Sequence, residues 1–210
     1  MTFQNQFPAS AFDFWATNYD KSVQEDTTFP FIGYNLVLKE IVSLSEVSSG
    51  QAVLDLGTGT GNLAVLFATL GCQLTCTDFS DAMLARAREK LPEAEQYLHD
   101  LRVPLPFINR QFDAIVSAYV FHHFPPAQKV EICQRIIQEA LAPGGSLIIG
   151  DISFPSLADL EAFKQIIPDW DDEFYWLADE ALSALQEIGL KARYSQVSSC
   201  AGVYKIQQME

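Results

Sequence analysis

Residues 52–62 read AVLDLGTGTGN, an apolar run followed by three glycines at alternate positions and by the start of a helical pattern. A short apolar run that ends at glycine is typical of a buried strand. Alternate glycines let the backbone approach a ligand closely, and the first N–H groups of a helix have no partner within the helix. The stretch therefore predicts a strand over residues 52–56, a ligand-binding turn, and a helix over residues 62–70.

The same alternation of apolar runs, turns and helical patterns continues along the chain. Further strands are predicted over residues 73–77, 97–98, 112–117, 146–150, 191–197 and 201–206, and further helices over residues 81–91, 127–141 and 179–188. Pro143, Gly144 and Gly145 are expected to end the helix before them. Strands that alternate with helices predict an α/β fold with a doubly wound, mostly parallel sheet. Only three residues separate the last two strands, so these strands should pair antiparallel or flank a strand between them.

Length and composition are those of a globular protein. The chain has 210 residues, of which 49% are hydrophobic and 19% charged. At roughly 150 residues per domain, this length predicts one domain with elaborations. Its expected parts are N-terminal lid helices over residues 1–50, a ligand-binding core over 51–152, an acidic aromatic insertion over 153–178, and a last helix with two closing strands over 179–210. Neither a membrane span nor a signal peptide is recognisable, so we expect a cytoplasmic protein without a membrane partner.

The net charge is strongly negative and unevenly distributed. With 13 Lys and Arg against 27 Asp and Glu, the formal charge is 13 − 27 = −14, which disfavours a nucleic-acid partner. Residues 153–190 carry one basic and nine acidic groups, a net charge of 1 − 9 = −8. If this stretch roofs the ligand site, a neutral or cationic small molecule is favoured over a polyanion. The four cysteines form no C-x-x-C pair and are expected to be buried hydrophobes, so no metal site is predicted.

Three predicted strand ends carry residues that suit a nucleoside. Asp78 ends the second strand, 21 residues after the first glycine of the loop, where a carboxylate can accept both hydroxyls of a ribose. Asp55 stands before a G-x-G-x-G loop, where it would repel a pyrophosphate but attract an ammonium group. A ribose, an ammonium and no phosphate together describe S-adenosylmethionine. At the third strand end, Asp100 offers an acceptor for the adenine amino group and Leu101 an apolar contact, with His99 or Leu101 as the alternative to Asp100.

Four stretches resemble motifs of the class I S-adenosylmethionine-dependent methyltransferases: VLDLGTGTGNLA, TDFSDAML, FDAIVSAYVFHHF and LAPGGSLIIGD. The resemblance covers about residues 10–207. With FDFWATNYDKSV and the double histidine, the chain resembles small uncharacterised bacterial methyltransferases of the YrrT type, in the small-molecule branch. The resemblance implies a seven-stranded sheet whose last strand is antiparallel, and S-adenosylhomocysteine as the product. It names no methyl acceptor.

The residues and the resemblance together predict a set of cofactor contacts. The resemblance places the first two loop glycines at the methionine moiety, Asp78 at the ribose, and residues 117–119 along the cofactor. The predicted contacts are Tyr19, Asp55, Gly57, Thr58, Gly59, Gly61, Asn62, Asp78, Phe79, Met83, Asp100, Leu101, Ser117, Ala118 and Tyr119. Alternatively, the loop is a structural turn with two helix-capping acids, and the Tyr19 ring fills the core between lid and sheet. No catalytic residue is predicted.

Several other residues near the strand ends have two interpretations. His122 and His123 follow the fourth strand, where one of them could act as a general base or could cap and pack the turn. Aromatic side chains of the N-terminal segment and the insertion could close over the site through cation–π contacts or form the core of a lid. They are Trp15, Phe31, Tyr34, Trp170, Phe174, Tyr175 and Trp176. The acidic run formed by Asp169, Asp171, Asp172 and Glu173 could equally be a solvated face.

The predicted function is in-line methyl transfer to an unidentified small molecule, with positioning as a main source of acceleration. Two alternatives stay open. One is a protein that binds S-adenosylmethionine for regulation or interaction without turnover. The other is a nicotinamide-dependent dehydrogenase, which Asp55 and the glycine spacing of the loop disfavour.

Overall fold

The computed structural model describes residues 15–16, 18–24, 27–168 and 170–209. Residues 1–14, which hold the start of the FDFWATNYDKSV motif, and Asp169 of the acidic run lie outside the described residues. The organisation of the chain as one domain stays a prediction.

The described residues form eight strands: β1 (Ala52–Leu56), β2 (Gln73–Asp78), β3 (Glu95–Leu98), β4 (Phe112–Ala118), β5 (Leu141–Phe154), β6 (Trp176–Leu177), β7 (Leu190–Gln196) and β8 (Ala201–Gln208). Seven of them follow one another in a continuous sheet with the order β3-β2-β1-β4-β5-β8-β7. Strands β1 to β5 run parallel, and β8 lies between β5 and β7, antiparallel to both. The doubly wound sheet and its antiparallel last strand are confirmed. The short strand β6 pairs with the end of β5 and was not predicted, because two residues carry no periodicity.

Helices cover both faces of the sheet. The described helices are α1 (Tyr19–Gln24), α2 (Tyr34–Ser45), α3 (Asn62–Thr69), α4 (Asp81–Lys90), α5 (Pro126–Ala140), α6 (Leu157–Lys164) and α7 (Ala178–Glu187), with a 3₁₀ turn over Phe121–His123. Since successive strand residues point to opposite faces, Val53 and Ile148 pack with α2, α3 and α6, whereas their neighbours Leu54 and Ile149 pack with α5 and α7. Both clusters are apolar, as the continuous apolar runs of parallel strands require. Among the described helices, none combines the length and the apolar character that a membrane crossing needs.

The end of α5 differs from the prediction. The helix ends at Ala140, and residues 143–145 lie within β5. Strand β5 pairs with β4 at Leu141 and again from Ser146, with an irregular register between these two points. Proline has no N–H to donate to a ladder, and Gly144 has a φ of 80°. The proline and glycines therefore interrupt strand pairing rather than terminate the helix.

The N-terminal segment has two structural roles. Helix α2 covers the sheet: a Cβ on Gly150 of β5 would lie 2.5 Å from Val37 and 2.6 Å from Ile41, so the glycine permits their close contact. Helix α1 and the loop that follows it lie instead at the carboxyl ends of the strands, where Tyr19 and Phe31 line a cavity. The N-terminal segment thus contributes both to the core and to the site.

Candidate active site

A cavity of about 570 Å³ opens at the carboxyl ends of the parallel strands. Its wall includes the glycine loop after β1, the residues that end β2 and follow β3, and the turn after β4. The N-terminal segment, Asp171 and residues 173–175 line it from outside the sheet. Because parallel strands end at one edge, the polar residues predicted from separate motifs meet in one place.

The glycine loop presents its backbone to this cavity. Gly57 has a φ of 65°, and a Cβ there would lie 2.4 Å from Val120, so a side chain cannot be accommodated. Gly59 has a φ of 55°, and a Cβ at that position would meet no atom within 4 Å. The Gly59 N–H donates to Asp78 Oδ2 at 2.7 Å. This bond fixes the loop against the end of β2 and leaves open space above Gly59.

Asp55 and Asp78 are buried carboxyl groups on the neighbouring strands β1 and β2. Burial raises the pKa of Asp55 to about 7, and Asp55 Oδ2 has no hydrogen-bond partner among the described residues. Burial also raises the pKa of Asp78 to about 6, although the N–H groups of Gly59 and Ser80 donate to its two oxygens at 2.7 and 2.8 Å. A cation beside Asp55 would favour its ionised form. The pair therefore suits a ligand that carries a positive charge.

At the end of β3, the structure modifies the expectation for Asp100. Asp100 lines the cavity, but both of its oxygens lie 2.9 Å from Arg102 Nε, and the Arg102 guanidinium pairs with it through a second nitrogen. The carboxylate expected to accept from an adenine amino group is thus already held by a cation. His99 Nε2 is buried without a hydrogen-bond partner among the described residues, and burial lowers the pKa of His99. His99 is therefore the unsatisfied polar side chain at this strand end.

Helix α1 is tied to the glycine loop by a charged cluster that sequence patterns missed. Asp20 Oδ1 accepts hydrogen bonds from Thr60 Oγ1 at 2.5 Å and from Asn62 Nδ2 at 3.1 Å. Asp20 Oδ2 lies 2.6 Å from Lys90 Nζ at the end of α4. Burial acts to raise the pKa of Asp20, but the hydrogen bonds from Lys90 and Thr60 outweigh it and hold that pKa below its ordinary value. The four residues come from three separate parts of the chain, so no local motif signals the cluster.

A second charged cluster lies in the wall after β4. His122 Nδ1 is 2.6 Å from Asp151 Oδ1, and the His122 backbone N–H donates to Asp151 Oδ2 at 2.9 Å. His122 Nε2 lies 3.6 Å from Glu173 Oε2, and His123 Nδ1 lies 3.5 Å from Glu173 Oε1. Burial acts to lower the pKa of His122, but the charge of Asp151 outweighs it and raises that pKa. The double histidine is therefore held by two carboxylates from elements far apart in sequence.

Aromatic rings join the N-terminal segment to the insertion. Phe29 stacks on Trp170 with ring centroids 5.1 Å apart and an interplanar angle of 18°. Trp176 is buried in the core, where Lys129 Nζ lies 4.6 Å from its ring centroid. Of the aromatic residues predicted to close over the site, those that line the cavity are Trp15, Phe31, Tyr34, Phe174 and Tyr175. Some of these rings thus line the cavity wall, and the others pack behind it.

Comparison with known proteins identifies the family. A family model described as a methyltransferase domain matches residues 53–145. An uncharacterised methyltransferase of Geobacillus kaustophilus (strain HTA426) is 32% identical over 200 residues, which cover 88% of this chain and 89% of that protein. The chain belongs to the class I S-adenosylmethionine-dependent methyltransferases. A second uncharacterised methyltransferase, from Staphylococcus carnosus (strain TM300), is 33% identical over 171 residues. The match covers 79% of the methyltransferase described here and 77% of the Staphylococcus carnosus protein.

The methyltransferase also shares its fold with a solved structure described as a DhpI-SAM-HEP complex. The TM-score is 0.76, and the match covers 99% of this chain and 100% of the other. Sequence identity is 20%, so the likeness concerns the fold alone. The family resemblance and the fold predicted from the sequence motifs are confirmed.

Most of the predicted cofactor contacts line the cavity of the methyltransferase. They are Tyr19, Asp55, Gly57, Thr58, Gly59, Asn62, Asp78, Phe79, Met83, Asp100, Leu101, Ala118 and Tyr119. The two others are not in its wall: the Gly61 N–H donates to the Thr58 carbonyl at 2.9 Å, and Ser117 Oγ donates to the Leu56 carbonyl at 2.8 Å. Both therefore shape the loop and strand behind the wall. The role of each lining residue toward the cofactor stays a prediction.

Proposed function

We propose that this methyltransferase transfers the methyl group of S-adenosylmethionine to a small-molecule acceptor bound in the same cavity. The observation that carries the proposal is the pair of buried carboxyl groups, Asp55 and Asp78, beside an open glycine loop at neighbouring strand ends. S-Adenosylmethionine supplies an electrophilic methyl group on a sulfonium and leaves as S-adenosylhomocysteine.

The glycine loop and both carboxyl groups fit the cofactor in charge and in space. Asp55 Oδ2 lacks a hydrogen-bond partner among the described residues and would accept from the ammonium group. The open space above Gly59 accommodates the methionine part. Asp78 accepts two backbone N–H groups, but each carboxylate oxygen has a second lone pair with which it would accept a ribose hydroxyl.

The adenine is assigned to the part of the wall formed after β2 and β3. Phe79, Met83 and Leu101 supply apolar surface there. Because Arg102 holds Asp100, the unpartnered ring nitrogen of His99 is the stronger candidate for a polar contact with the base. His99 is one of the two alternatives to Asp100 that the sequence left open.

The charge of the wall supports a neutral or cationic acceptor. Among the described lining residues, Arg102 is the one Lys or Arg, and it is paired with Asp100. Phosphate groups would therefore meet carboxylates without a free basic side chain, which disfavours a dinucleotide, a nucleic acid or another polyanion. The acidic lining residues are Asp55, Asp78, Asp100, Asp171 and Glu173.

The cofactor assignment is tested by calorimetric titration with S-adenosylhomocysteine. Asp78→Asn and Asp55→Asn should each weaken binding by about tenfold or more, because each removes a charged acceptor from the cofactor's polar groups. Asp81→Asn is the matched control: it removes the same charge from an exposed side chain that pairs with Arg88 at 3.3 Å, and binding should stay within about twofold. Absence of binding to the wild-type protein at millimolar ligand would overturn the proposal.

Turnover separates an enzyme from a binding protein that uses the same site. Incubation with S-adenosylmethionine and a panel of amines, thiols, phenols and carboxylates should yield S-adenosylhomocysteine with at least one acceptor class. Tight cofactor binding without transfer to any of them would favour the regulatory alternative. Binding and hydride transfer with a nicotinamide dinucleotide would favour the dehydrogenase.

A further inference from the structure

We propose that His122, His123 and Glu173 form a binding site for a divalent transition-metal ion such as Zn²⁺ in the wall of the cavity. Their ligand atoms all lie within 4.8 Å of one another, the one such group of His, Cys, Asp or Glu side chains within the described residues. All three residues line the cavity. Metal-motif spacing could not reveal this site, because Glu173 is about 50 residues from the histidines and meets them only in the fold.

The distances suit a common ion. Glu173 lies between the two rings, 3.6 Å from His122 Nε2 and 3.5 Å from His123 Nδ1. Ligand atoms bound at about 2.0–2.2 Å in tetrahedral geometry are roughly 3.3–3.6 Å apart. The two Glu173 distances fall within this range but involve different carboxylate oxygens, and the ligand atoms of the whole group lie within 4.8 Å of one another. The side chains must therefore move toward one another to coordinate one ion.

His122 is held in the orientation that a metal ligand needs. Asp151 Oδ1 lies 2.6 Å from His122 Nδ1, so that when the ring is neutral its proton is held on that nitrogen and its lone pair is on Nε2, the atom that lies 3.6 Å from Glu173 Oε2. Asp151 also accepts the His122 backbone N–H at 2.9 Å. A carboxylate behind a histidine is the usual support for a histidine–metal bond. Asp151 is therefore a positioning residue, fully buried on β5.

The segment that carries Glu173 is fixed in place as well. The Phe174 N–H donates to the His122 carbonyl at 3.1 Å, so Glu173 is anchored to the turn that holds the histidines. Lys129 Nζ donates to the Phe174 carbonyl from the other side. The backbone on the C-terminal side of Glu173 is therefore held by two contacts.

The ligand set indicates both the kind of ion and the kind of molecule it would hold. Two imidazoles and one carboxylate suit Zn²⁺, Fe²⁺ or a similar ion better than Mg²⁺ or Ca²⁺, which prefer oxygen ligands. Three protein ligands leave at least one position open toward the cavity. We assign that position to an oxygen or thiol group of a neutral acceptor. This last assignment rests on the proposed function, whereas binding of the ion does not.

The test is calorimetric titration of tag-free protein with Zn²⁺, without cofactor or acceptor. One ion per chain should bind with a Kd of about 1 μM or tighter. His123→Ala and Glu173→Gln, which change the two more accessible ligands, should each weaken binding by about tenfold or more. Asp172→Asn is the matched control: Asp172 is exposed and pairs with Lys164 at 2.8 Å, so its removal should change the Kd by less than about twofold.

Circular dichroism shows whether each variant is folded, and Co²⁺ reports the ligands by its visible absorption. Absence of stoichiometric binding to the wild type, or equal affinity in folded His123→Ala and Glu173→Gln, would overturn the metal site. A cobalt–thiolate charge-transfer band would assign the ion to a cysteine and also overturn it. Since S-adenosylhomocysteine binding is measured separately, failure of the metal site leaves the test of the cofactor site intact.

Discussion

Asp55 is buried beside the glycine loop with a pKa of about 7, so near neutral pH it exchanges between a neutral and a charged form. In the proposed site, the charged form attracts the ammonium group of the cofactor and the neutral form does not. The buried carboxyl group is costly to ionise in the free protein. The cofactor would offset this cost only when it binds.

Cofactor affinity should therefore depend on pH. Because the carboxylate is the binding form, the affinity for S-adenosylhomocysteine should rise between pH 5 and pH 7 and level off above the pKa of Asp55. When one group titrates, the affinity changes by at most about tenfold per pH unit. Calorimetric titrations across this range would measure it.

The Asp55→Asn variant is the control for this pH dependence. In this variant, the affinity should change with pH only near pH 6, and more weakly than in the wild type, because only Asp78 still titrates. A wild-type affinity that is flat from pH 5 to pH 7, or an equal slope near pH 7 in Asp55→Asn, would contradict the role of Asp55.

Single residues differ in how well sequence patterns predict them. Asp55 and Asp78 could be predicted as site residues from the sequence. Asp55 lies within β1 and Asp78 ends β2, and the apolar run of each strand is a clear local signal. The pairing of Asp100 with Arg102 was missed, since a spacing of two residues signals no contact in a loop. The contact of His122 with Asp151 and Glu173 joins three separate elements, and only the fold brings them together.

At the scale of elements, the position of α1 depends on its charged cluster with the glycine loop. Asp20 reaches Thr60, Asn62 and Lys90, which belong to the loop, α3 and α4. Helix α1 has only six residues, too few to be stable alone. Its contacts with the rest of the protein must therefore hold it at the cavity.

Asp20→Ala should release α1 from the glycine loop. We expect backbone amides of residues 19–24 to exchange at least about threefold faster, because the helix loses its main polar contacts. S-Adenosylhomocysteine should bind a few-fold more weakly, since Tyr19 lines the cavity. Hydrogen exchange by mass spectrometry and calorimetry would measure the two effects.

Lys21→Ala provides the comparison, because Lys21 is exposed on the same helix. It should leave both exchange and affinity close to the wild type. Equal exchange rates in Asp20→Ala and the wild type would show that the cluster does not position α1.

Most elements were predictable, because apolar periodicity and glycine or proline residues at the ends of elements are local signals. The bounds of α3 and α4 differ from prediction by one residue each, and α5 also begins and ends one residue early. Two features of the strands were not predictable. Strand β6 exists because two residues reach the end of β5, and residues 143–145 lie within β5 because Leu141 before them and Ser146 after them both pair with β4. Both depend on strand neighbours that are distant in sequence.

At the scale of the whole molecule, the negative charge divides between the cavity and the surface. Asp171 and Glu173 of the acidic stretch 153–190 line the cavity, whereas Asp172 is exposed and paired with Lys164. The expectation that this stretch contributes carboxylates to the roof therefore agrees with the positions of two of its residues. The acceptor itself leaves no pattern in the sequence, because a pocket is shaped by segments that meet only after folding.

A crystal structure with S-adenosylhomocysteine tests the proposed cofactor site most directly. The ribose hydroxyls should lie within about 3.2 Å of the Asp78 carboxylate, and the amino group should lie at similar distance from Asp55 Oδ2. The adenine should pack on Phe79, Met83 and Leu101. A ligand bound elsewhere, or with its ribose away from Asp78 and its amino group away from Asp55, would contradict the assignment.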